Sequence, residues 1–170
     1  NALRQPFQLT SVGALDERKN QQFLIRALKV VQEKGVDFRC YIYGDGELRG
    51  FLQNLIEDLN LQEQVLLCGK VSHSKIREAY RKADFVIQSP RLEGYGKVPT
   101  EAFFYGCIPL LSDVNVSKQI VGGTERGRCF LLDKPDGLAQ HLLDLSTNPK
   151  EMVRLIRNGR ENAKTLTLEA

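Results

Sequence analysis

Two carboxylates, Glu93 and Glu101, flank the segment whose residue types best suit chemistry on a bound ligand. The segment between them begins with Gly94, Tyr95, Gly96, Lys97 and Val98. We expect free backbone N–H groups at 94–98 to point outward at the start of the helix that follows and, with Lys97, to attract an anion. Carboxylates repel phosphate but accept hydrogen bonds from sugar hydroxyls. The pattern therefore predicts a ligand that carries a sugar on each side of its phosphates.

A second group of candidate residues follows the first predicted strand. Gly13 permits a sharp turn, and Arg18 and Lys19 precede Asn20, which we expect to cap the next helix. A cation near the start of a helix opposes the helix dipole, so this placement favours an anion bound nearby. A solvated charge cluster without a ligand is the alternative.

Two further turns follow predicted strands. Gly44-Asp45-Gly46 is typical of a tight turn in which Asp45 caps the next helix, and by itself the motif is explained by structure alone. The loop with Lys70 and Val71 offers backbone groups to a planar ring, and Ser72 is predicted to cap the helix that follows.

Short apolar runs alternate with helical stretches along the chain. The predicted strands are 7–12, 38–43, 65–68, 85–88, 108–111 and 129–132, and the predicted helices are 20–34, 47–59, 74–82, 99–105, 137–146 and 150–164. Such alternation predicts an α/β fold of three layers, with a six-stranded parallel sheet between helices. All strand ends with candidate residues then meet at one edge, where ligands bind in such sheets.

The composition is that of a single globular domain. The chain has 170 residues, 42% of them apolar and 26% charged, which excludes disorder and coiled coil as the main state. The net charge of +3 is spread along the chain and does not call for nucleic acid. Its four cysteines form no CxxC pair, which favours reduced thiols. We interpret Asn1-Ala2 as a cloning scar and 3–170 as the domain.

Several common nucleotide motifs are missing from the sequence. It has no GxxxxGK[ST] loop and no GxGxxG after a strand, which argues against an NTPase and a dinucleotide dehydrogenase. It also has no Asp-x-Asp pair to hold a divalent metal on a diphosphate. The two histidines are isolated and give no support for a histidine-based metal site. Without a metal, any diphosphate must be neutralised by Lys, Arg and a helix end.

The ordered set of segments resembles the family 4 (group 1) retaining glycosyltransferases. The run from Glu93 to Ala102 resembles their E-x7-E motif. Five further segments resemble family motifs in the same order: 11–19 resembles GRL…K, 42–48 GDG, 67–72 LGxVS, 79–84 YxxAD and 106–109 GxPV. The resemblance extends from about Leu9 to the end of the chain. It implies a Rossmann-like domain, the C-terminal, donor-binding half of a GT-B enzyme, whose N-terminal domain binds the acceptor.

The resemblance also implies a role for each candidate residue. Glu93 would contact the transferred sugar and stabilise positive charge at its anomeric carbon, Glu101 would accept from the ribose hydroxyls, and Lys19 would hold the diphosphate. The other expected donor contacts are Gly13, Gly44, Lys70, Val71 and the residues at 94–98. Lys70 and Val71 would meet the base of a UDP-, GDP- or ADP-sugar. The implied transfer retains anomeric configuration without a metal, and the diphosphate takes the acceptor's proton.

The sequence departs from the family pattern at two positions near the donor. Ala14 stands where the family has an arginine, and Arg18 is our candidate substitute for that cation. Gln119 stands where the family's loop after the fifth strand has a glutamate. These departures favour a second hypothesis, a degenerate nucleotide-binding module without catalysis, whereas the intact Glu93 and Glu101 oppose it.

A third hypothesis, an unrelated flavodoxin-like binding or signalling domain, leaves the paired glutamates and Lys19 unexplained. We expect the isolated domain to bind donor but not to transfer sugar. Reduced thiols favour a cytoplasmic protein, and the resemblance points to cell-envelope or polysaccharide synthesis. Peripheral association of a full-length enzyme with the inner face of a membrane is left open.

Overall fold

Strands and helices alternate along the residues that the structure, a computed structural model, describes: 6–168. The interpretation of Asn1-Ala2 lies outside these residues. The strands are β1 (Phe7–Val12), β2 (Phe38–Tyr43), β3 (Val65–Gly69), β4 (Phe85–Gln88), β5 (Ile108–Ser112) and β6 (Arg128–Phe130). The helices are α1 (Gln21–Glu33), α2 (Arg49–Asp58), α3 (His73–Lys82), α4 (Lys97–Phe103), α5 (Ser117–Val121), α6 (Asp136–Ser146) and α7 (Pro149–Leu168).

The strands form one six-stranded, all-parallel sheet in the order β3-β2-β1-β4-β5-β6. This confirms the predicted α/β, Rossmann-like three-layer fold. Every residue of β4 and β5 is buried, as expected for central strands covered on both faces. The order reverses between β1 and β4, and the crevice at such a switch point is where ligands bind in open parallel sheets.

The core joins the predicted helical stripes to the apolar strands. Leu24, Leu28 and Val31 of α1 are fully buried in one cluster that includes Leu9 of β1 and Leu142 of α6. Fully burying an aliphatic side chain contributes about 1.5–3 kcal/mol, so this packing holds α1 firmly on the sheet. The cysteines are all free, in agreement with the prediction of reduced thiols.

The helix starts differ from the predictions more than the strands do. Ser72 caps α3 as predicted, accepting a hydrogen bond from the backbone N of Lys75 at 3.3 Å. Asn20 occupies the N-cap position of α1 as predicted, but its backbone is left-handed and its side chain makes no capping bond. The predicted cap at Asp45 is wrong: its side chain accepts from the neighbouring Gly46 instead, and Leu48 stands at the N-cap of α2. Helix α5 was not predicted, because its five residues are too few to show a helical period.

Among residues 6–168, we find no helix whose length and apolar character would let it cross a bilayer.

The turns after β1 and β2 press against each other at the switch-point edge. Gly44 has a φ of 135°, and a Cβ atom there would lie 1.9 Å from the carbonyl oxygen of Gly13. Gly46 has the same restriction, since its Cβ would lie 2.4 Å from the carbonyl oxygen of Leu15. The glycines of the GDG turn are thus required by close backbone approach.

We expect Gly44→Ala to lower the free energy of unfolding by at least about 2 kcal/mol, because it combines a strained φ with a backbone collision. Urea titration of the purified chain measures the effect. Gly50→Ala in α2 is the matched control: its Cβ meets nothing within 4 Å, so stability should rise by up to about 1 kcal/mol. Equal responses of the two variants would contradict the close-approach argument.

Candidate functional site

A buried amide joins the ends of the two strands at the switch point. The Oε1 of Gln88 accepts from the hydroxyl of Ser11 at 2.8 Å and from the backbone N of Val12 at 3.1 Å. Its Nε2 donates to the carbonyl of Val12 at 2.7 Å. The loops that follow β1 and β4 therefore start from one rigid point.

Those two loops are then joined by direct hydrogen bonds. The backbone N of Arg91 donates to the carbonyl of Arg18 at 3.1 Å, and the hydroxyl of Ser89 donates to the carbonyl of Asn20 at 2.9 Å. The left-handed backbone of Asn20 turns its carbonyl toward this partner. The loops are thereby held side by side, which brings Lys19 to Glu93.

Lys19 and Glu93 form a half-buried ion pair, with Nζ and Oε2 3.3 Å apart. Burial tends to raise the pKa of Glu93, but Lys19 and nearby backbone N–H groups outweigh it, and the net pKa is lowered. The carboxylate is therefore ionised at neutral pH. The stem of Lys19 lies against Gly13, since a Cβ there would be 3.4 Å from its Cδ.

The backbone ahead of α4 differs from the predicted anion cradle. The N–H groups of Gly94 and Tyr95 donate to Oε1 of Glu93, at 3.0 and 3.5 Å. The prediction that they are unoccupied is wrong, because the Glu93 carboxylate folds back over the residues that follow it. The helix also begins at Lys97, before the Pro99 at which we predicted its start.

Sequence reasoning missed the part played by Asn115. Its side chain reaches from the β5–α5 loop to the backbone of Glu93, accepting from the N–H at 3.3 Å and donating to the carbonyl. Nothing in the local pattern indicates this contact, because it joins loops after different strands.

Beside the ion pair lies a cleft of about 270 Å³ that collects many of the predicted residues. Those that line it are Gly13, Gly44, Lys70, Val71, Lys97, Val98 and Glu101. They come from four different loops or helix starts and meet because the parallel strands end at one edge. Much of the rest of the lining is apolar, from Val12, Tyr43 and Ile76. The cleft suits a flat ring with polar groups at its margin.

Glu101 and Tyr80 form one wall of this cleft. Lys97 lies 3.7 Å from Oε1 of Glu101, one helical turn away in a largely exposed pair. Tyr80 is buried, and its hydroxyl has no hydrogen-bond partner among the described residues. Burial and the neighbouring Glu101 charge raise the pKa of this phenol above its usual range. Neither sequence position nor spacing marked Tyr80 as part of the cleft.

Other candidates lie elsewhere. Gly94, Tyr95 and Gln119 line a separate cavity of about 460 Å³ on the other side of α4. Arg18, the candidate substitute for the missing arginine, directs its guanidinium to Asp16 at 3.6 Å and is largely exposed. Ala14 is exposed and provides no charge.

Over the part of the chain that the structure describes, no group of three or more His, Cys, Asp or Glu side chains could hold a metal ion. The cations near the cleft are lysines: Lys19 at the ion pair, and Lys70 and Lys97 in the lining.

We expect Lys19→Met to raise the pKa of Glu93, since it removes the charge and leaves the burial. Carbon-13 NMR titration of the carboxyl measures it. Because the folded pKa lies below the ordinary value of 4.5, the pair's stabilisation is present above that pH. It is lost as the pH falls through the folded pKa, so the stability gap between wild type and variant should narrow on acidification.

Lys75→Met is the matched control, since Lys75 pairs with the exposed Glu78 instead. It should leave the Glu93 pKa unchanged. An unchanged Glu93 pKa in Lys19→Met would contradict the assignment of the shift to Lys19.

We expect Tyr80→Phe to raise the free energy of unfolding by about 1 kcal/mol, because it removes a buried hydroxyl without a partner. Thermal unfolding should show an increase of about 2–4 °C. Tyr95→Phe, at an exposed tyrosine, is the control and should change little. Destabilisation by Tyr80→Phe would mean that the hydroxyl has a partner in solution.

Comparisons with known proteins agree with this fold. A family model described as glycosyl transferases group 1 matches residues 2–162. Over 150 residues, 88% of this chain and 40% of the relative, the chain is 31% identical to the N-acetylgalactosamine-N,N'-diacetylbacillosaminyl-diphospho-undecaprenol 4-alpha-N-acetylgalactosaminyltransferase of Campylobacter jejuni. The chain spans less than half the length of this and other curated relatives.

Solved structures show the same architecture. The C-terminal domain of a glycosyl transferase group 1 family protein from Francisella tularensis has a TM-score of 0.83 at 21% identity, covering 94% of this chain and 85% of that chain. The pneumococcal O-GlcNAc transferase in complex with UDP and GlcNAc has a TM-score of 0.80 at 19% identity, covering 95% of this chain and 33% of that one. The family model spans nearly the whole chain and the fold agrees with it, so this chain belongs to the group 1 glycosyl transferases.

Proposed function

We propose that this chain binds the nucleotide-diphosphate sugar donor in a retaining, metal-independent glycosyl transfer. The observation that carries the proposal is the Lys19–Glu93 pair, whose lysine stem lies against Gly13 of a cleft that Glu101 and Lys97 also line. A cation, an ionised carboxylate and an apolar slot match the diphosphate, the sugar and the base of such a donor. The UDP and GlcNAc held by the pneumococcal relative support a ligand of this class.

The base and ribose of the donor would lie in the cleft. The apolar lining would pack on the base, whose edge would meet the loop of Lys70 and Val71. Glu101 would accept from the ribose hydroxyls once its weak pairing with Lys97 is released. At about 270 Å³ the cleft is just smaller than the ~300–1,000 Å³ usual for ligand sites, which fits a site that a second domain completes.

The diphosphate would compete with Glu93 for Lys19. In the free domain that lysine pairs with the carboxylate, and a diphosphate placed beside Gly13 would share its charge. Glu93 then remains ionised next to the sugar. Its charge would stabilise the positive charge that develops at the anomeric carbon.

The transfer step needs no dedicated base from this chain. The bond between the anomeric carbon and the diphosphate oxygen breaks, and its electron pair stays on the diphosphate. The acceptor hydroxyl attacks the same face and gives its proton to that oxygen. An N-terminal domain of the full-length protein would hold the acceptor, so the chain alone would bind donor without transferring sugar.

A nucleotide-binding module without catalysis is the second candidate. It is favoured by Ala14, which is exposed and leaves the β1–α1 loop with Lys19 as its cation nearest Glu93. Binding experiments alone do not separate the two candidates, whereas transfer by the full-length protein does.

Calorimetric titration with UDP, GDP and ADP tests the donor site. We expect one of them to bind without metal, and Glu101→Ala to weaken it about tenfold, since hydrogen bonds to a charged group contribute about 1.5–3 kcal/mol each. Glu57→Ala is the matched control, at an exposed glutamate of α2 whose side chain accepts a hydrogen bond from Gln53. Absence of binding to all three would count against the donor site.

Activity of the full-length protein tests the transfer. Glu93→Gln should lower the rate about a hundredfold while Glu57→Gln leaves it unchanged. The product's anomeric configuration should match the donor's, and EDTA should have no effect. Transfer by the 170-residue chain alone would refute the requirement for a second domain.

A further inference from the structure

Asn115 stands out because its contacts serve another residue's backbone. The side-chain oxygen accepts from the N–H of Glu93 at 3.3 Å, and the side-chain nitrogen donates to the carbonyl of the same residue. One amide thus binds both polar groups of a single residue across neighbouring loops. Such a pair of bonds fixes the orientation of that peptide segment as well as its distance.

The segment that Asn115 holds has few other anchors. Upstream, the backbone of Arg91 bonds Arg18 and the carbonyl of Pro90 accepts from Ser112 at 2.7 Å. Downstream, α4 begins at Lys97. Between these points Leu92 and Tyr95 are exposed, and the buried Gly96 next to α4 packs against Ile120. At Glu93 itself, Asn115 bonds both polar groups of the backbone, while Lys19 holds the side chain.

Stability alone does not account for this contact. Asn115 and the segment around Glu93 are largely solvent-exposed, so water can satisfy every polar group if the amide is removed. What changes is the position of the Glu93 carboxylate relative to Lys19. A misplacement of about 1 Å in a catalytic group is costly to function even when folding is unaffected.

We propose that Asn115 is a positioning residue: it holds Glu93 at Lys19 and at the place of the donor sugar. The inference rests on the proposed donor-binding function. The β5–α5 loop would then act on the site through Asn115, in a chain that has Gln119 where the family has a glutamate. The base and ribose contacts proposed above involve the cleft that Glu101 lines, and Asn115 is not part of that lining.

The test compares two ligands on each variant. Asn115→Ala should weaken binding of a nucleotide-diphosphate glucose about tenfold while the matching nucleoside diphosphate binds within about twofold of wild type. UDP, GDP and ADP and their glucose conjugates are the probes, measured by calorimetry. Asn54→Ala, at an exposed asparagine of α2, should change neither affinity. Equal losses for the two ligands, or no loss for either, would overturn the positioning role.

A second measurement needs no ligand. Lys19 is the charged side chain that lowers the pKa of Glu93, and the other contributors are backbone N–H groups of its own segment. Asn115→Ala should raise that pKa in carbon-13 NMR titration, because the carboxylate is no longer held at Lys19. Asn115→Asp, which keeps an acceptor but adds a negative charge, should raise it further.

Together the two measurements distinguish a failure of the proposed function from a failure of the positioning role of Asn115. If the wild-type chain binds no nucleotide and no conjugate, the proposed function fails and the NMR titration decides the role of Asn115. An unchanged Glu93 pKa in Asn115→Ala would then overturn the inference. If the wild type binds UDP or another probe, the ligand comparison decides it.

Discussion

The buried amide of Gln88 is the constraint on which the arrangement at the site depends. A buried amide requires partners for its polar atoms, and here they are all at the end of β1: the hydroxyl of Ser11 and both backbone groups of Val12. Breaking this set would leave buried groups unpaired, at a cost of about 1–3 kcal/mol each. The loops that carry Lys19 and Glu93 therefore both start from the rigid junction of β1 and β4 at Gln88.

Beyond that point, the site is organised by exchangeable charge contacts. Lys19 is paired with Glu93, Lys97 lies near Glu101, and the N–H groups of Gly94 and Tyr95 are occupied by the Glu93 carboxylate. Each of these partners is one that a diphosphate or a sugar hydroxyl could replace. These charged and polar groups are paired with one another in the structure, and under the proposed function donor binding would exchange their partners.

The two departures from the family pattern, Ala14 and Gln119, both lie outside the lining of the cleft. Ala14 leaves the β1–α1 loop without the family's arginine, and Gln119 leaves α5 without the family's glutamate, whereas Asn115 adds a side-chain amide at Glu93. The cleft, in contrast, is lined by residues to which the resemblance assigns donor contacts. Family membership therefore indicates the class of donor more firmly than it indicates the sugar.

Much of the fold could be predicted from the sequence, because burial has a period that a single chain displays. The apolar runs predicted every strand. Ser72 predicted the start of α3, because an N-cap bonds a backbone N–H within its own helical turn. The family resemblance points to Glu93 and Glu101 through the E-x7-E motif and to Lys19 through the GRL…K segment, and the structure pairs Lys19 with Glu93. These features depend on neighbours in the chain or on a pattern of residue types.

Contacts between loops were decided only by the tertiary structure. Three such features join segments far apart in the chain or depend on such a contact. They are the left-handed backbone of Asn20, the hydrogen bonds of the Gln88 amide and the bonds of Asn115 to Glu93. Which loops become neighbours depends on strand order and register, and local composition records neither. The sequence by itself therefore determined which residues are available for chemistry, whereas the order of strands around the switch point decided which of them touch.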